Sequence, residues 1–511
     1  MSAGRVRLPN FRNLRTYRID LLLILAGIIV LAGFSVFQQI ILSTGVSVDL
    51  HLLGVPLDDV YIHARYAANL LHGFGYSFRP GYTLTADTSP LWVLLIAIGG
   101  LFTSRLELVA IVFSMLAYLM LGPGVYRVAR DVFGFAEGHA RLAGLAAVLS
   151  SRLAWSGTSG METALAALLM LLVVEEHARS RNRNVLRARE GIWLGLALLL
   201  RPEFMFVALT LIVDWVIAAT RRRANVAVAP IAITLAFVIA SPMFLLPLIM
   251  RGSLISHSSV VQGAGISFIP NLAYLWFALK ILTSNNAIIF AFLIAGIWLL
   301  SHKPQYYLLY IIALGLPLLQ AFIAPQFRHH GRYFFPILPL IIILGIAAWQ
   351  EIEQRMHPQA IIRIVAVTLI SLAGVFETGR WAMIEAESVR NINDQHLAAV
   401  GWLRQNMLPT DTLAVDDVGA IGYFSHKPII DLTGLMTPSL WSLQHNQDSV
   451  WGAARTMGAN LFVIYRRLNP PFYADHKDSL VLQQEFRVRL PLASSADTTM
   501  SIYRVKGPNG R

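Results

Sequence analysis

Long apolar stretches, repeated from near the N-terminus to about residue 376, constrain the fold of this chain more than any other feature. A helix of about 20 residues crosses the ~30 Å hydrocarbon core of a bilayer. The candidate stretches lie near 20–42, 107–126, 140–155, 162–176, 191–200, 202–219, 226–250, 286–300, 306–323, 333–349 and 361–376. The sequence therefore predicts a polytopic α-helical membrane protein with about eleven transmembrane helices.

The composition agrees with a membrane protein and narrows its function. Hydrophobic residues make up 56% of the chain and charged residues only 14%, against about 25% charged in soluble domains. The net charge of +12 is explained by arginines that hold loops in the cytoplasm, so we expect no nucleic-acid partner. The chain has no cysteine, which excludes disulfides and thiolate chemistry.

The distribution of arginines predicts the orientation in the plasma membrane. The N-terminus is basic, as are the segments at 127–130, 177–189 and 221–223, and basic loops stay in the cytoplasm. Residues 20–42 are too long for a cleaved signal peptide, and we interpret them as the first span. An odd number of spans then puts the C-terminus outside. The apolar pieces 89–103 and 268–283 must lie along the outer surface or re-enter, because a crossing by either alone would reverse the basic loops downstream.

Beyond residue 376 the apolar runs shorten to strand length, as in TLAVDD, AIGYFS, KPIIDL, NLFVIY and MSIYRV, after a helix-like NDQHLAAVGWLRQNM. This pattern is typical of a small α/β domain. We therefore predict a transmembrane catalytic domain over 1–376, with a first extracytoplasmic loop at 42–106, and a soluble extracytoplasmic α/β domain over 377–511.

Unusual polar residues collect on the predicted outer side, although they come from loops far apart in the sequence. Polar residues beside apolar helices often mark a functional site, so their convergence predicts one extracytoplasmic cavity. Its main candidates are Asp58, Asp59, Glu162, Arg201, Glu203, His257, Arg328, His329, His330, Arg332 and Tyr333. Arg65, His72 and Asp87 lie on the same side and carry a weaker signal.

Each of these groups also has a structural interpretation. The adjacent pair Asp58 and Asp59 can cap the amphipathic helix that follows it. Arg201 and Glu203 can form a local ion pair at a helical turn, and Glu162 can cap the helix that begins in SGMET. The run RHHGRY, residues 328–333, can be an interfacial anchor of cationic and aromatic side chains.

A carboxylate pair beside arginines and histidines suits transfer from a donor with an anionic leaving group to a hydroxyl acceptor. An aspartate can take the proton of the hydroxyl, while arginine and histidine neutralise a departing phosphate. Because no nucleotide supply exists outside the cell, such a transferase needs a lipid-carried donor. Asp58 and Asp59 are also the residues that would hold Mg²⁺ or Mn²⁺, although no third carboxylate is assigned to them and no cofactor is certain.

The ordered set of motifs resembles the GT-C fold glycosyltransferases, which use polyprenyl-phosphate-linked sugars, and within them the terminal arabinofuranosyltransferase group and its bacterial relatives. The resemblance rests on LDDVYIHARYAANLLHGFGYSF, TADTSPLWVLLIA, SGMETAL, LLRPEF, HHGRYFFPILP and DVGAIGYFSHKPIIDLTGLMTP. It implies that Asp58 is the catalytic base, with Asp59 as its partner or as a ligand of a metal or of the acceptor. It also implies that His330 and Arg332 lie near the lipid phosphate and that the C-terminal domain helps to hold a glycan acceptor.

One departure from the family concerns SLISHSSVVQG, where relatives carry an LPNT-like segment with a lysine; His257 would take the place of that cation. The resemblance implies an inverting transfer of a hexosyl or pentosyl group to a cell-envelope glycan, glycolipid or protein. Two alternatives stay open at this point. One is a transporter or flippase for a lipid-linked anion, and the other is a non-enzymatic assembly or glycan-binding factor.

Overall fold

A computed structural model shows a bundle of helices followed by a small sheet. It describes residues 11–42, 54–80, 87–251, 257, 267–323, 325–327, 329–425, 427–465, 476–492 and 495–506. The helices of the bundle are α1 Phe11–Leu42, α2 Asp59–Leu71, α3 Pro90–Gly100, α4 Leu106–Asp131, α5 Glu137–Val148, α6 Ser151–Thr158, α7 Thr163–Asn182, α8 Ala188–Leu200, α9 Phe204–Thr220, α10 Ala229–Arg251, α11 Leu272–Asn285, α12 Ala287–Leu299, α13 Tyr307–Ile323, α14 Leu338–Met356 and α15 Ala360–Asn391.

Every apolar stretch predicted as a span contains helix, but the count of about eleven spans is not confirmed. Within the described ranges, six helices are long and apolar enough to cross a membrane, or seven if the bent pair α11 and α12 is one span. The stretch at 140–155 is two helices of 12 and 8 residues, α5 and α6. At 1.5 Å per residue neither reaches across a bilayer core.

The two apolar pieces that we predicted not to cross alone are both short helices. Residues 89–103 contain α3, which has 11 residues. Residues 272–283 of the second piece lie in α11, which meets α12 at a bend of 115°. At the bend, the Asn286 side chain accepts a hydrogen bond from the backbone N–H of Ile289 and donates one to the carbonyl of Ile370, which satisfies polar groups exposed by the break.

The C-terminal region forms a five-stranded mixed sheet in the order β2-β1-β3-β5-β4. Its strands are β1 Leu413–Val415, β2 Ile429–Asp431, β3 Leu461–Tyr465, β4 Leu480–Arg487 and β5 Thr499–Val505. β1 pairs in parallel with β2 and β3, and β5 pairs antiparallel with β3 and β4. The helices α16 Ala398–Asn406, α17 Gly419–Ser425, α18 Pro438–Trp441 and α19 Gln447–Thr456 accompany the sheet.

Two details of the C-terminal prediction are corrected. The segment AIGYFS is not a strand, because it lies in α17, whose first backbone N–H groups donate to the Asp58 carboxylate. The boundary at residue 377 falls inside a helix, since α15 continues through a π-helical turn, Ile392–Leu397, into α16. The bundle and the sheet region are therefore joined by one continuous helical element, and α17 packs against α2.

Candidate active site

A cavity of about 430 Å³ lies where the ends of several helices meet. One wall is polar and charged and the other is apolar. The polar wall is formed by Asp59, His63, Asp87, Glu162, Arg201, Glu203, Arg332 and Tyr333. The structure thus brings together six of the residues that we predicted to converge, from four separate parts of the chain.

At the centre of the polar wall, Arg332 pairs with Asp59. Arg332 Nη2 donates to Asp59 Oδ2 at 2.7 Å, and His329 Nδ1 lies 3.2 Å from the same oxygen. Although burial opposes it, the charges of His329 and Arg332 lower the pKa of Asp59 below its ordinary value. Asp59 is therefore held ionised, which makes it a weak base.

The turn that precedes Arg332 has an unusual backbone. His329, His330 and Gly331 have φ of 53°, 57° and 73°, and left-handed conformations are disfavoured for residues with a Cβ. The His330 ring packs edge-on against Trp155 and Trp381, which helps to hold the turn. The arrangement directs the Arg332 side chain toward Asp59.

Beside this pair, Arg201 connects two carboxylates. Its Nε lies 3.5 Å from Glu162 Oε1, and its Nη2 lies 3.2 Å from Glu203 Oε1. The Tyr333 ring lies 5.1 Å from the Arg201 guanidinium. The local ion pair considered for Arg201 and Glu203 is therefore present. Glu162 stands at the N-cap position of α7 but makes no capping hydrogen bond with its side chain, because its carboxylate faces Arg201.

The two arginines keep buried donors that no described protein group accepts. These are Nη1 of Arg201 and both Nε and Nη1 of Arg332. Buried guanidinium donors without a partner cost free energy. The arrangement is therefore suited to an anion with several oxygens, such as a phosphate.

The apolar wall comes from α9 and α13. It is formed by Met205, Phe206, Leu316, Leu319 and Ile323. Met205 is 55% exposed, so this side of the cavity reaches the apolar outer surface of the bundle. A lipid chain can therefore lie along this wall while its charged end meets the arginines.

His63, which also lines the cavity, was not among the predicted residues. His63 Nδ1 lies 2.6 Å from Asp87 Oδ2, and its Nε2 lies 3.6 Å from Glu162 Oε2. Asp87, which carried only a weak signal in the sequence, is buried and also accepts a hydrogen bond from the backbone N–H of Ser89. A signal was available, because Asp59 and His63 are four residues apart and share one face of α2.

Asp58 does not line this cavity. It is 6% exposed, and its carboxylate accepts hydrogen bonds from the backbone N–H groups of Gly419, at 2.6 Å, and Ala420, at 2.7 Å. Burial and the adjacent Asp417 carboxyl raise the pKa of Asp58 well above its ordinary value. Asp58 also holds the N-cap position of α2, but its side chain makes no capping hydrogen bond. The capping role that we predicted for the pair is therefore wrong for both aspartates. The side chain of Asp59 is turned toward Arg332 instead.

The two adjacent aspartates do not fit a shared metal ion, because their carboxylates face α17 and Arg332 respectively. A different set of metal-ligand type exists among the described residues. Asp58, His396 and Asp417 offer ligand atoms within 4.8 Å of one another, and His396 Nε2 lies 2.9 Å from Asp417 Oδ2. Two close carboxyls of this kind need a proton or a cation between them.

Two further predicted residues, His257 and His330, are not part of the cavity lining. His330 lies between aromatic rings, as described above. His257 Nε2 lies 2.7 Å from the carbonyl oxygen of Gly434, so it links the segment after α10 to the C-terminal region. Arg328 lies outside the described residues.

Two family models match separate parts of the chain. Residues 87–245 match the family described as dolichyl-phosphate-mannose-protein mannosyltransferase. Residues 389–503 match a domain of unknown function, DUF8728. No curated protein matches the sequence.

Solved structures match over most of the chain. ArnT from Cupriavidus metallidurans, in a crystal structure bound to undecaprenyl phosphate, aligns with a TM-score of 0.61 and 13% identity over 93% of this chain and 97% of that chain. The oligosaccharyltransferase of Archaeoglobus fulgidus aligns with a TM-score of 0.58 and 14% identity over 88% of this chain and 70% of that chain. These matches confirm the predicted GT-C fold. The six or seven sufficiently long apolar helices among the described residues agree with a multi-pass membrane protein.

Arabinofuranosyltransferase AftD from Mycobacteria is also similar. It has a TM-score of 0.49 and 16% identity, covering 95% of this chain and 40% of that chain. At that score the similarity does not favour one subgroup, so the kind of sugar is left open.

Proposed function

We propose that this membrane-embedded glycosyltransferase of the GT-C fold transfers a sugar from a polyprenyl-phosphate donor to a hydroxyl of a cell-envelope glycan, glycolipid or protein. The reaction takes place on the extracytoplasmic face of the plasma membrane. One observation carries the proposal: Arg201 and Arg332 direct unpaired guanidinium donors into a cavity whose opposite wall is apolar.

This combination matches the two chemical parts of such a donor. A phosphate offers several oxygens to arginine, which binds them with charge-assisted hydrogen bonds. The polyprenyl chain is apolar and fits the wall formed by α9 and α13. As the bond to the sugar breaks, the phosphate gains negative charge, and the fixed guanidinium groups stabilise that charge.

Three carboxylates, those of Asp59, Glu162 and Glu203, balance the positive charge of the two arginines. Each carboxylate lies within ion-pair distance of a guanidinium, and so holds it in place before the donor arrives. A polyprenyl-phosphate donor is also supported by the ArnT structure of similar fold, which contains undecaprenyl phosphate.

The acceptor hydroxyl attacks the anomeric carbon from the side opposite the phosphate, which inverts its configuration. The role of general base predicted for Asp58 stays a prediction. Its carboxylate faces α17 in this structure, so the base role requires the carboxylate to leave both backbone N–H groups.

The test is release of polyprenyl phosphate by the purified protein from a panel of polyprenyl-phospho-sugars, including hexosyl and pentosyl donors. We expect release with at least one donor when an acceptor glycan is present, and the same panel with a chelator reports any metal requirement. Arg201→Gln and Arg332→Gln should each slow release by about 10²-fold or more, whereas Arg141→Gln, in a half-exposed ion pair with Glu137, should not. No release from any donor would contradict the proposal.

The same panel separates transfer from transport. A transporter or flippase would move the lipid-linked sugar across a vesicle membrane and leave the sugar attached. In that case liposome translocation would be seen without polyprenyl phosphate. Release of the phosphate together with a glycosylated acceptor supports the transferase.

A further inference from the structure

His63 and Asp87 form a buried dyad at the edge of the proposed donor site. His63 is 7% exposed and Asp87 5% exposed, and the distance of 2.6 Å between Nδ1 and Oδ2 is that of a short charge-assisted hydrogen bond. Asp87 is itself fixed, because its other oxygen accepts the backbone N–H of Ser89 at 2.5 Å. The dyad therefore has a defined orientation.

That orientation leaves one nitrogen of the imidazole for chemistry. Because the Asp87 carboxylate accepts a hydrogen bond from Nδ1–H, the neutral ring carries its available lone pair on Nε2. Nε2 faces Glu162 across 3.6 Å, a separation longer than a hydrogen bond, and both side chains line the cavity. Glu162 Oε2 has no hydrogen-bond partner among the described residues. A hydroxyl in the cavity, to one side of these two atoms, could lie within hydrogen-bond distance of both acceptors.

The carboxylates of the cavity are poorly suited to take a proton. Asp59 is paired with Arg332 and His329, and Glu162 and Glu203 are paired with Arg201. A carboxylate held by a cation is a weak base. Asp58 is turned away from the cavity, and its oxygens accept two backbone N–H groups.

We propose that His63 is the general base of the transfer reaction and that Asp87 is the residue that positions it. This inference rests on the proposed function. The acceptor hydroxyl gives its proton to His63 Nε2 while its oxygen forms the new bond to the anomeric carbon. The bond between that carbon and the phosphate oxygen breaks, and its electron pair stays on the polyprenyl phosphate. The proton then leaves the imidazolium for solvent, which regenerates the neutral base.

The charged groups around His63 set the pH at which it can act. Asp59 faces it from the same helix, Asp87 from the segment before α3, and Glu162 from the start of α7. Burial lowers the pKa of His63, but these carboxylates, Asp87 foremost, outweigh it and raise the pKa above its ordinary value. Transfer should therefore increase with pH as His63 loses its proton, with the midpoint of kcat/KM above about 6.5.

The experiment compares the pH profile of kcat/KM for the full-length protein with those of four variants. His63→Asn should lose transfer by about 10²-fold or more, keep donor binding, and no longer show the rise with pH. Added imidazole should restore part of the activity of His63→Ala. Asp87→Asn removes the carboxylate that raises the pKa, so its midpoint should move to lower pH, with a reduced plateau. His72→Asn, an exposed histidine at the end of α2, should behave as the wild type.

The outcomes separate this inference from the proposed function. If the wild-type protein releases no polyprenyl phosphate, the proposed function fails and the inference fails with it. If the wild type is active and His63→Asn keeps its rate and its rise with pH, the inference alone is overturned. It is also overturned if Asp58→Asn removes the rise with pH while His63→Asn retains it. Loss of activity without a change in unfolding temperature, together with rescue by imidazole, supports it.

Discussion

Arg332 presents two unpaired nitrogens to the cavity while its third holds Asp59. If these nitrogens bind the donor phosphate, Arg332→Gln removes charge stabilisation at the point where negative charge develops. We expect kcat/KM to fall by about 10²- to 10³-fold. Arg332→Lys keeps the positive charge but loses the planar guanidinium, so its kcat/KM should lie between that of the wild type and that of Arg332→Gln. The measurement is the initial rate of polyprenyl phosphate release at several donor concentrations.

The matched control is Arg141→Gln, whose ion pair with Glu137 one turn away is half exposed and contributes little. Circular dichroism and the unfolding temperature show whether each variant is folded. A rate for Arg332→Gln within about threefold of the wild type would show that the phosphate does not depend on this residue.

At the residue scale, polarity on one side of a predicted membrane was enough to find Glu162, Arg201, Glu203, Arg332 and Tyr333 as neighbours. It could not assign the two adjacent aspartates, because successive residues on a helix point about 100° apart, and only tertiary packing decides which one meets the cavity. His63 was missed because its partner Asp87 is 24 residues away, and pairing at that distance is set by the fold.

At the scale of elements, the left-handed turn before α14 positions Arg332. Gly331 has a φ of 73°, and a Cβ there would lie 2.4 Å from Cδ1 of Ile281. Gly331→Ala should therefore strain the turn, displace Arg332 and lower the unfolding temperature, at a cost of about 1–2 kcal/mol for the backbone alone. Gly138→Ala, where a Cβ meets nothing within 4 Å, is the control and should be neutral or stabilising. Equal unfolding temperatures for the two variants would contradict this account.

The elements themselves were predictable in type more than in number. The length of each apolar stretch identified the helices, because a helix that lies in lipid or in a protein core needs a long apolar stretch. It could not show that 140–155 breaks into α5 and α6, since the break depends on neighbouring helices. AIGYFS was misassigned because a short apolar run fits a strand or a buried helix equally well. Its helical form depends on Asp58, some 360 residues away.

The junction between α2 and α17 should respond to pH through Asp58 and Asp417. Because burial and Asp417 raise the pKa of Asp58 well above its ordinary value, the native state holds a proton that the unfolded chain releases. Stability from this proton is present at low pH and is lost as pH rises through the raised pKa. Asp417→Asn removes the like charge, so its unfolding temperature should rise relative to that of the wild type as the pH increases above about 4, where an unperturbed aspartate titrates.

This comparison is made in EDTA, so that a proton and not a metal ion lies between the two carboxyls. Asp478→Asn, in a short turn near the end of the sheet region, is the control for loss of one negative charge. A constant difference between Asp417→Asn and the wild type across this pH range would show that the two carboxyls do not share a proton.

At the scale of the whole molecule, the proposed chemistry requires the cavity and the sheet region to face outward. The chain contains no cysteine, so single cysteines report their side of the membrane without background. We expect Gly452→Cys, exposed on α19, to react with a membrane-impermeant maleimide in intact cells. Arg223→Cys, exposed after α9, should react only after the membrane is opened, because basic loops remain in the cytoplasm.

The unmodified protein, which should not react under either condition, is the control. Labelling of both positions in intact cells, or of neither, would mean that an even number of crossings separates them. An even number would result if α11 and α12 each crossed the membrane separately, or if neither crossed it. The reverse pattern would place the arginines of the cavity in the cytoplasm. There a nucleotide sugar could be the donor, and only the apolar wall of the cavity would then favour a lipid-linked donor.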